Sequence, residues 1–544
     1  KLNFLSLLLV LTCFSCKNEA QNNSTLTDKA YFTNVDLKTS QVTNDQHIEL
    51  YNFYQDQFLS LHFTLDKPLV QSLKELAPNL TEDELLANGN YQFTFIVDGK
   101  TIYVENLNTG AGTKSQKTED LNVDVRLVTP EQIDFWGWFM WQKFIRLHGG
   151  LDAFNEGIHN FSIEIRPYIQ NDDLIVGDLL AKGTIKVEVP PIEVDEKLIS
   201  IQPIKPNSGW EVSNDSLDRS QIEKLNRRIA EAAFHGIELN SVVIIKDNKL
   251  LIEEYFNGED RNSLHDVRSV GKSFASTMLG VAIDEKLIKS EYSLLKEFYD
   301  LPSFENYTTK KDSVSLKSLL TMTSGFLGND WDYSSPGNEE NMYPTDNWVK
   351  FALDLPMDPD LVIDKDYSYF TAGAVILGDI VHQSVPGGLV SYADEKLFSP
   401  LEITDYQWQY TPQNVGNTAG GIRLRAIDFA KYGQLYKNKG QWNAKQILNP
   451  KWVEKSLGKQ VSQANAGIED GFYGYLFWNK VHKVNDKDYE VAFCSGNGGN
   501  KILIFKDIPF VIVITSSAYG MPRAHKIVDE LMVENILPAI LSQD

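Results

Sequence analysis

Apolar and polar positions along the chain fall into three successive patterns. A short apolar run opens it, Phe4-Leu5-Ser6-Leu7-Leu8-Leu9-Val10-Leu11, behind Lys1 and ahead of a polar stretch from Lys17 to Lys29. That run is too short to span a bilayer. From 46 to 189 the pattern has period two. Phe58 to Leu65 sets Phe58, Ser60, His62 and Thr64 against Leu59, Leu61, Phe63 and Leu65. Gln92 to Val97 and Thr101 to Leu107 flank Asp98-Gly99, a pair that favours a tight hairpin turn. Asn122 to Val128, Asn160 to Tyr168 and Gly183 to Val189 read as three more strands. These short strands predict an all-β, sandwich-like domain over 46–189. An aromatic cluster, Phe135-Trp136-Gly137-Trp138-Phe139-Met140-Trp141, interrupts them. Packing in a core or at a domain contact is its expected use, ahead of docking a glycan or a peptide.

Pro190-Pro191 through Pro203 and Pro206 read as a linker over 190–215. From about Ser216 the period lengthens. Ile222, Leu225, Ile229 and Ala232 repeat at helical spacing. Ser241 to Lys246 and Lys249 to Phe256 read as two strands around Asp247-Asn248. Four more follow near the C-terminus: Tyr473 to Trp478, Tyr489 to Cys494, Lys501 to Phe505 and Phe510 to Ser516. A last helix is expected over Ala524 to Ile536. Two opening and four closing strands bracket a helix-rich middle. That order predicts an α+β domain over 216–544, with helices packed on one antiparallel sheet.

Charge and cysteine content narrow the function. The 544 residues hold 51 Lys and Arg against 74 Asp and Glu, a formal charge of −23. Such a surface repels phosphate backbones and argues against nucleic acid as a partner. Only three Cys occur, so no disulfide framework is present. No two of the nine His have zinc-motif spacing, and a metal site is not expected. A small residue before a Cys at the end of the opening run resembles a bacterial lipoprotein cleavage box. Ser15-Cys16 fits better than Thr12-Cys13, although Cys13 stands where Leu is usual. The resemblance implies a signal peptide over 1–16, lipidation of Cys16 and a tether over 17–45. It also implies a cell-envelope location with the membrane reached through the lipid. An ordinary cleaved signal is the alternative.

The sharpest chemical motif is Ser269-Val270-Gly271-Lys272, at the start of a helix with Phe274, Met278, Leu279 and Ile283 on one face. Residues at i and i+3 share a helix face. A serine hydroxyl is a poor nucleophile until a neighbour takes its proton, and a desolvated lysine can do so. The helix N-terminus would favour a developing oxyanion. Gly271-Lys272-Ser273 also imitates the end of a phosphate-binding loop. That loop needs Gly at 266, where Asp266 stands, so nucleotide binding is rejected.

The S-x-x-K motif has ordered company. Leu319-Leu320-Thr321-Met322-Thr323-Ser324-Gly325 follows it, then Tyr369-Phe370-Thr371-Ala372-Gly373 ahead of an apolar helix. Gly420-Gly421-Ile422-Arg423-Leu424 and Ser495-Gly496-Asn497-Gly498-Gly499 complete the series. Together these strings resemble the serine β-lactamase and penicillin-recognising family. The resemblance lies in its class C and esterase-like branch, near the 6-aminohexanoate-oligomer hydrolases, and runs from about Ser216 to the C-terminus. It implies a β-lactamase/transpeptidase-like fold with Ser269 as nucleophile and Lys272 as proton acceptor. Tyr369 matches the tyrosine of Y-x-N, which passes a proton to the leaving group. Asn497-Gly498-Gly499 falls at K-T-G or H-x-G on the strand lining the pocket. Asn500 would then supply an oxyanion N–H together with that of Ser269. Trp331, with Asp332, is a candidate for the pocket wall.

Two departures shape the expected substrate. Thr371 stands where Y-x-N has Asn, and Asn497 where β-lactamases carry Lys or His. Loss of that cation argues against efficient β-lactam hydrolysis and leaves esters and amides open, peptidoglycan-derived ones included. No cofactor is implied. A β-lactamase or D-alanyl-D-alanine peptidase is the alternative within enzymes. A catalytically inactive penicillin-binding-like sensor or binding protein is the alternative of another class. Cys494 reads as an inert buried cysteine.

Overall fold

The computed structural model describes residues 29–36, 46–130, 136–171 and 173–541. The chain divides between Glu193 and Val194 into two units.

The N-terminal unit holds two sheets. Leu59–Thr64 lies between Ala30–Thr33 and Asn122–Val128 in a three-stranded antiparallel sheet. The second sheet runs in the order Leu50–Asn52, Ala181–Val189, Gly157–Gln170, Gly89–Val97, Lys100–Asn106, with Leu174–Val176 paired onto Gly157–Gln170. The hairpin turn falls at Asp98-Gly99, where φ is +49° and +80°. Both values suit a turn that matches the strand twist. Alternation works as expected: Phe32, Leu61 and Phe63 share one core with Phe93, Phe95, Phe161, Ile163 and Ile185 of the other sheet. The two sheets thus bury their inner faces against one another, the sandwich-like arrangement.

Two expectations for this region change. Ala30–Thr33 is a core strand, so the segment 17–45 is not tether throughout. Short helices join the sheets, at Leu69–Leu76, Glu82–Asn88, Lys114–Thr118 and Trp136–Gln142. The aromatic cluster mostly packs: Met140 and Trp141 are buried, and Trp141 lies against Phe154 and Phe161, while Phe139 is half exposed. Phe135 and Cys16 lie outside the described residues.

The C-terminal unit is built on an eight-stranded antiparallel sheet. Its order is Lys249–Tyr255, Leu239–Lys246, Phe510–Ser516, Asn500–Phe505, Lys487–Gly496, Trp478–Val484, Phe472–Tyr473, Val461–Ser462. The opening hairpin therefore joins the closing strands through Leu239–Lys246 and Phe510–Ser516, with Val243 opposite Val513. Successive side chains point to opposite faces. Val243, Ile502, Ile504, Val511 and Val513 face one core. Val242, Ile244, Leu503, Ile512 and Ile514 face another, shared with helix Arg219–Phe234 and the C-terminal helices. Both faces are covered, which explains why these strands read as unbroken apolar runs. One strand differs from expectation. Residues 474–477 are not extended, Leu476 has φ of +63°, and the strand starts at Trp478.

The segment 190–215 is not a free linker. It carries a short helix, Glu196–Ile199, and docks on the sheet edge. Gln202 N donates to Glu254 Oε1 at 2.9 Å, and Leu250 N donates to the Glu211 carbonyl at 2.8 Å.

Candidate active site

Arg268–Gly271 form a 3-10 turn that runs into helix Lys272–Asp284. The helix differs from its expected amphipathic form. Every residue from Lys272 to Ala282 is buried, so it is a central helix rather than a half-exposed one. Thr277 Oγ1 lies 2.8 Å from both the Tyr432 and the Tyr436 hydroxyls, and Ser273 Oγ donates to the Leu476 carbonyl at 2.8 Å. Its rotation is therefore fixed. Lys272 is only 2 % exposed, and its Nζ donates to Ser269 Oγ at 2.6 Å and to the Ala419 carbonyl at 2.8 Å.

Tyr369 completes the group. Its phenol lines the same cleft as Ser269, and Lys272 Nζ sits 5.3 Å from the ring centroid. Burial raises its phenol above the usual range; the Lys272 charge and the Ser269 hydroxyl oppose that rise. Met322, within the Leu319-to-Gly325 string, holds the chain on both sides of this tyrosine. Met322, at φ of +57°, presents its carbonyl to Ser368 N at 2.8 Å and its sulfur to Phe370 N at 3.3 Å.

The strand beside Ser269 ends at Ser495-Gly496. A Cβ on Gly496 would meet the Val267 carbonyl at 1.9 Å and Ser269 N at 3.2 Å, so only glycine lets the strand approach the nucleophile this closely. This corrects the expected register. Gly498 and Gly499, with φ of +88° and +89°, form the turn that leads the chain away. Asn500 begins the next strand, wholly buried; its amide donates to the Asn497 and Ser516 carbonyls and its Oδ1 accepts from Ser516 N. Asn500 is a turn brace and does not line the cleft, and Cys494-Ser495-Gly496 occupies the strand position assigned to Asn497-Gly498-Gly499. Asn497 does line the cleft, with Oδ1 accepting from Gly520 N at 2.8 Å.

Gly420 presses on the nucleophile from another side. A Cβ there would lie 2.6 Å from the Arg268 carbonyl carbon and oxygen and 3.0 Å from Ser269 N. Its neighbour Ala419 supplies the carbonyl that holds Lys272. The Gly420-Gly421 string thus has a positional meaning.

Ser269 opens into a cleft of about 420 Å³. Trp331, half exposed, forms one wall; its ring lies parallel to Tyr369 at 5.7 Å and near-parallel to Trp478 at 6.0 Å. Asp332 turns back to cap Ser334. Thr371 is fully buried at the head of helix Thr371–Ser384 and is not a wall residue; its N–H donates to Asp330 Oδ2 at 2.7 Å. Burial and the Glu339 charge push the Asp330 carboxyl up to about 6. Burial and the Lys501 charge lower His525, at the far side of the cleft, to about 4. Cys494 is buried, and burial pushes its thiol up to about 12, which keeps it inert.

Asp330, Glu339, Trp478 and His525 were missed in the sequence. They sit on a loop, a short helix, an inner strand of the sheet and a C-terminal helix, and no local spacing links them.

The beta-lactamase family model matches residues 225–534, more than half of the chain. No curated protein matches. Among solved structures, the chain is similar to a putative 6-aminohexanoate-dimer hydrolase from Bacillus anthracis, with 18% identity over 56% of this chain and 80% of that one, TM-score 0.46. It is also similar to an octameric penicillin-binding protein homologue from Pyrococcus abyssi, at 17% identity over 59% and 78%, TM-score 0.47. A D-stereospecific amidohydrolase from Streptomyces sp. matches at 15% identity over 56% and 97%, TM-score 0.45. The family match covers the sheet, the central helix and the three polar groups around Ser269. The chain belongs to the beta-lactamase family.

Proposed function

We propose that the protein is a serine hydrolase acting on esters or amides through an acyl-enzyme at Ser269. One observation carries the reading: Lys272 Nζ at 2.6 Å from Ser269 Oγ, in a buried position, with the Tyr369 phenol beside them in the same cleft. Lys272 in its amine form takes the Ser269 proton as Oγ attacks the carbonyl carbon. The N–H groups of Ser269 and Asn497, on either side of the Gly496 contact, face the developing oxyanion. Tyr369 gives its proton to the leaving group and regains one from Lys272, so the serine proton departs with the alcohol or amine. Water then enters by the reverse path, and the acid is released. No cofactor is needed for these steps.

Neutral substrates suit the cleft better than β-lactams, because no Lys or Arg lines it among the described residues. The test sets a short-chain nitrophenyl ester beside a chromogenic cephalosporin. Ester turnover that disappears in Ser269→Ala and exceeds cephalosporin turnover is expected. Ester turnover retained in Ser269→Ala overturns the reading. We also propose a lipid-anchored place in the cell envelope, on the strength of the apolar run ending at Ser15-Cys16.

A further inference from the structure

The charged side chains on the cleft wall are all carboxylates: Asp330, Glu339 and Glu340. They differ in what they have left to offer. Asp330 gives one oxygen to Thr371 N and the other to Glu339 N, at 2.7 and 2.8 Å. Its charge is fixed in place and its oxygens are occupied. Glu339 accepts the Tyr343 hydroxyl at 2.7 Å on Oε2 alone. Glu340 is exposed, and among the described residues neither glutamate pairs with a Lys or Arg. His525 is the remaining titratable side chain on the wall besides the phenols, and it is neutral near pH 7.

Aromatic faces are the second, independent observation. Trp331 and Trp478 stack beside Tyr369, and Tyr333 stands 86% exposed at the rim. A ring face attracts a cation, tryptophan most strongly, and attraction grows as water is excluded. Carboxylates and ring faces favour the same ligand charge, and both repel a carboxylate. A neutral ligand would gain from the rings and nothing from the glutamates.

We propose that the substrate carries an ammonium group that seats between Glu339, Glu340 and the Trp331–Trp478 wall. The substrate class is then an amino-substituted ester or amide. This rests on the hydrolase reading for the reaction but not for the binding.

The test separates the two. Three small amides of equal size, ending in an ammonium, a methyl group and a carboxylate, are titrated into Ser269→Ala protein by tryptophan fluorescence. The ammonium compound should bind about tenfold tighter than the methyl compound, and the carboxylate weakest. In a Glu339→Gln/Glu340→Gln double variant the ammonium advantage should fall to about twofold or less. Added salt should shrink it in the unsubstituted protein. Equal or tighter binding of the methyl or carboxylate compound overturns the inference, as does an ammonium advantage that survives both substitutions. Binding needs no turnover, so failure here leaves the acyl-enzyme proposal standing, and failure of that proposal leaves this measurement readable.

Discussion

Gly420→Ala probes how Ser269 is held. The new Cβ would meet the Arg268 carbonyl carbon and oxygen at 2.6 Å, whereas ordinary contact begins near 3.4 Å. One side must retreat by about 0.8 Å. The φ of +156° at Gly420 adds backbone strain, so Ala cannot simply take up the glycine conformation. The neighbours that can move are Arg268-Ser269 on one side and Ala419, the acceptor for Lys272, on the other. Either motion spoils the 2.6 Å contact between Lys272 and Ser269. A displacement near 1 Å in a reacting constellation costs about 100-fold in rate. Overpacking costs roughly 1–3 kcal/mol of stability. Gly236→Ala is the comparison: φ is +75° there, and a Cβ would find nothing within 4 Å. It should lose about 1 kcal/mol from the left-handed backbone and keep its rate. Ester kcat and thermal unfolding, measured on both variants, decide the matter. A Gly420→Ala enzyme with the kcat of the unsubstituted protein would refute the claim that backbone contact positions the nucleophile.

Three further outcomes are expected. Glu254 is wholly buried, and burial pushes its carboxyl up to about 7 from an ordinary value near 4.5. A raised value means that the folded protein favours the protonated acid. The contribution is complete below about 4.5 and is lost as pH rises through 7, reaching on the order of 3 kcal/mol. Glu254→Gln should therefore gain in melting temperature over the parent as pH climbs from 5 to 8; a gap independent of pH contradicts this. Tyr369→Phe should slow amide hydrolysis by 10²–10⁴-fold. Nitrophenyl esters, whose leaving group needs no proton, should suffer far less, and equal losses on both would remove Tyr369 as the proton donor. Cys16→Ser should move the protein from the detergent phase to the aqueous phase; an unsubstituted protein that is already aqueous, with no lipid on mass spectrometry, would end the anchor proposal.

What the sequence revealed depended on how local the cause was. Period-two alternation located Leu59–Thr64 and Asn122–Val128 to within a residue, because each strand has one buried and one open face. Helix Glu82–Asn88 carried a legible signal that went unused: Thr81 and Glu84 cap each other across its first turn. Ala30–Thr33 was hidden by polar flanks, since its burial comes from a partner strand thirty residues on. The central helix looked amphipathic because Ser276, Thr277 and Gly280 are polar or small. In the fold all three are buried, Thr277 on two tyrosines and Gly280 against Trp452. Ser269, Lys272 and Tyr369 were legible through their motifs. The register of the Ser495–Asn500 string was not, because a glycine pair can end a strand or form the turn after it. Only the approach of Gly496 to Ser269 N distinguishes the two. The carboxylates and rings of the cleft come from four separate segments, which tertiary packing alone brings together.

The most direct measurement of the central claim is mass spectrometry of the intact protein after reaction with a fluorophosphonate, followed by peptide mapping. The account expects a single adduct on Ser269, formed at least 100-fold more slowly in Lys272→Met and absent in Ser269→Ala. An adduct on another residue, or labelling that continues at the parent rate in Ser269→Ala, would contradict it.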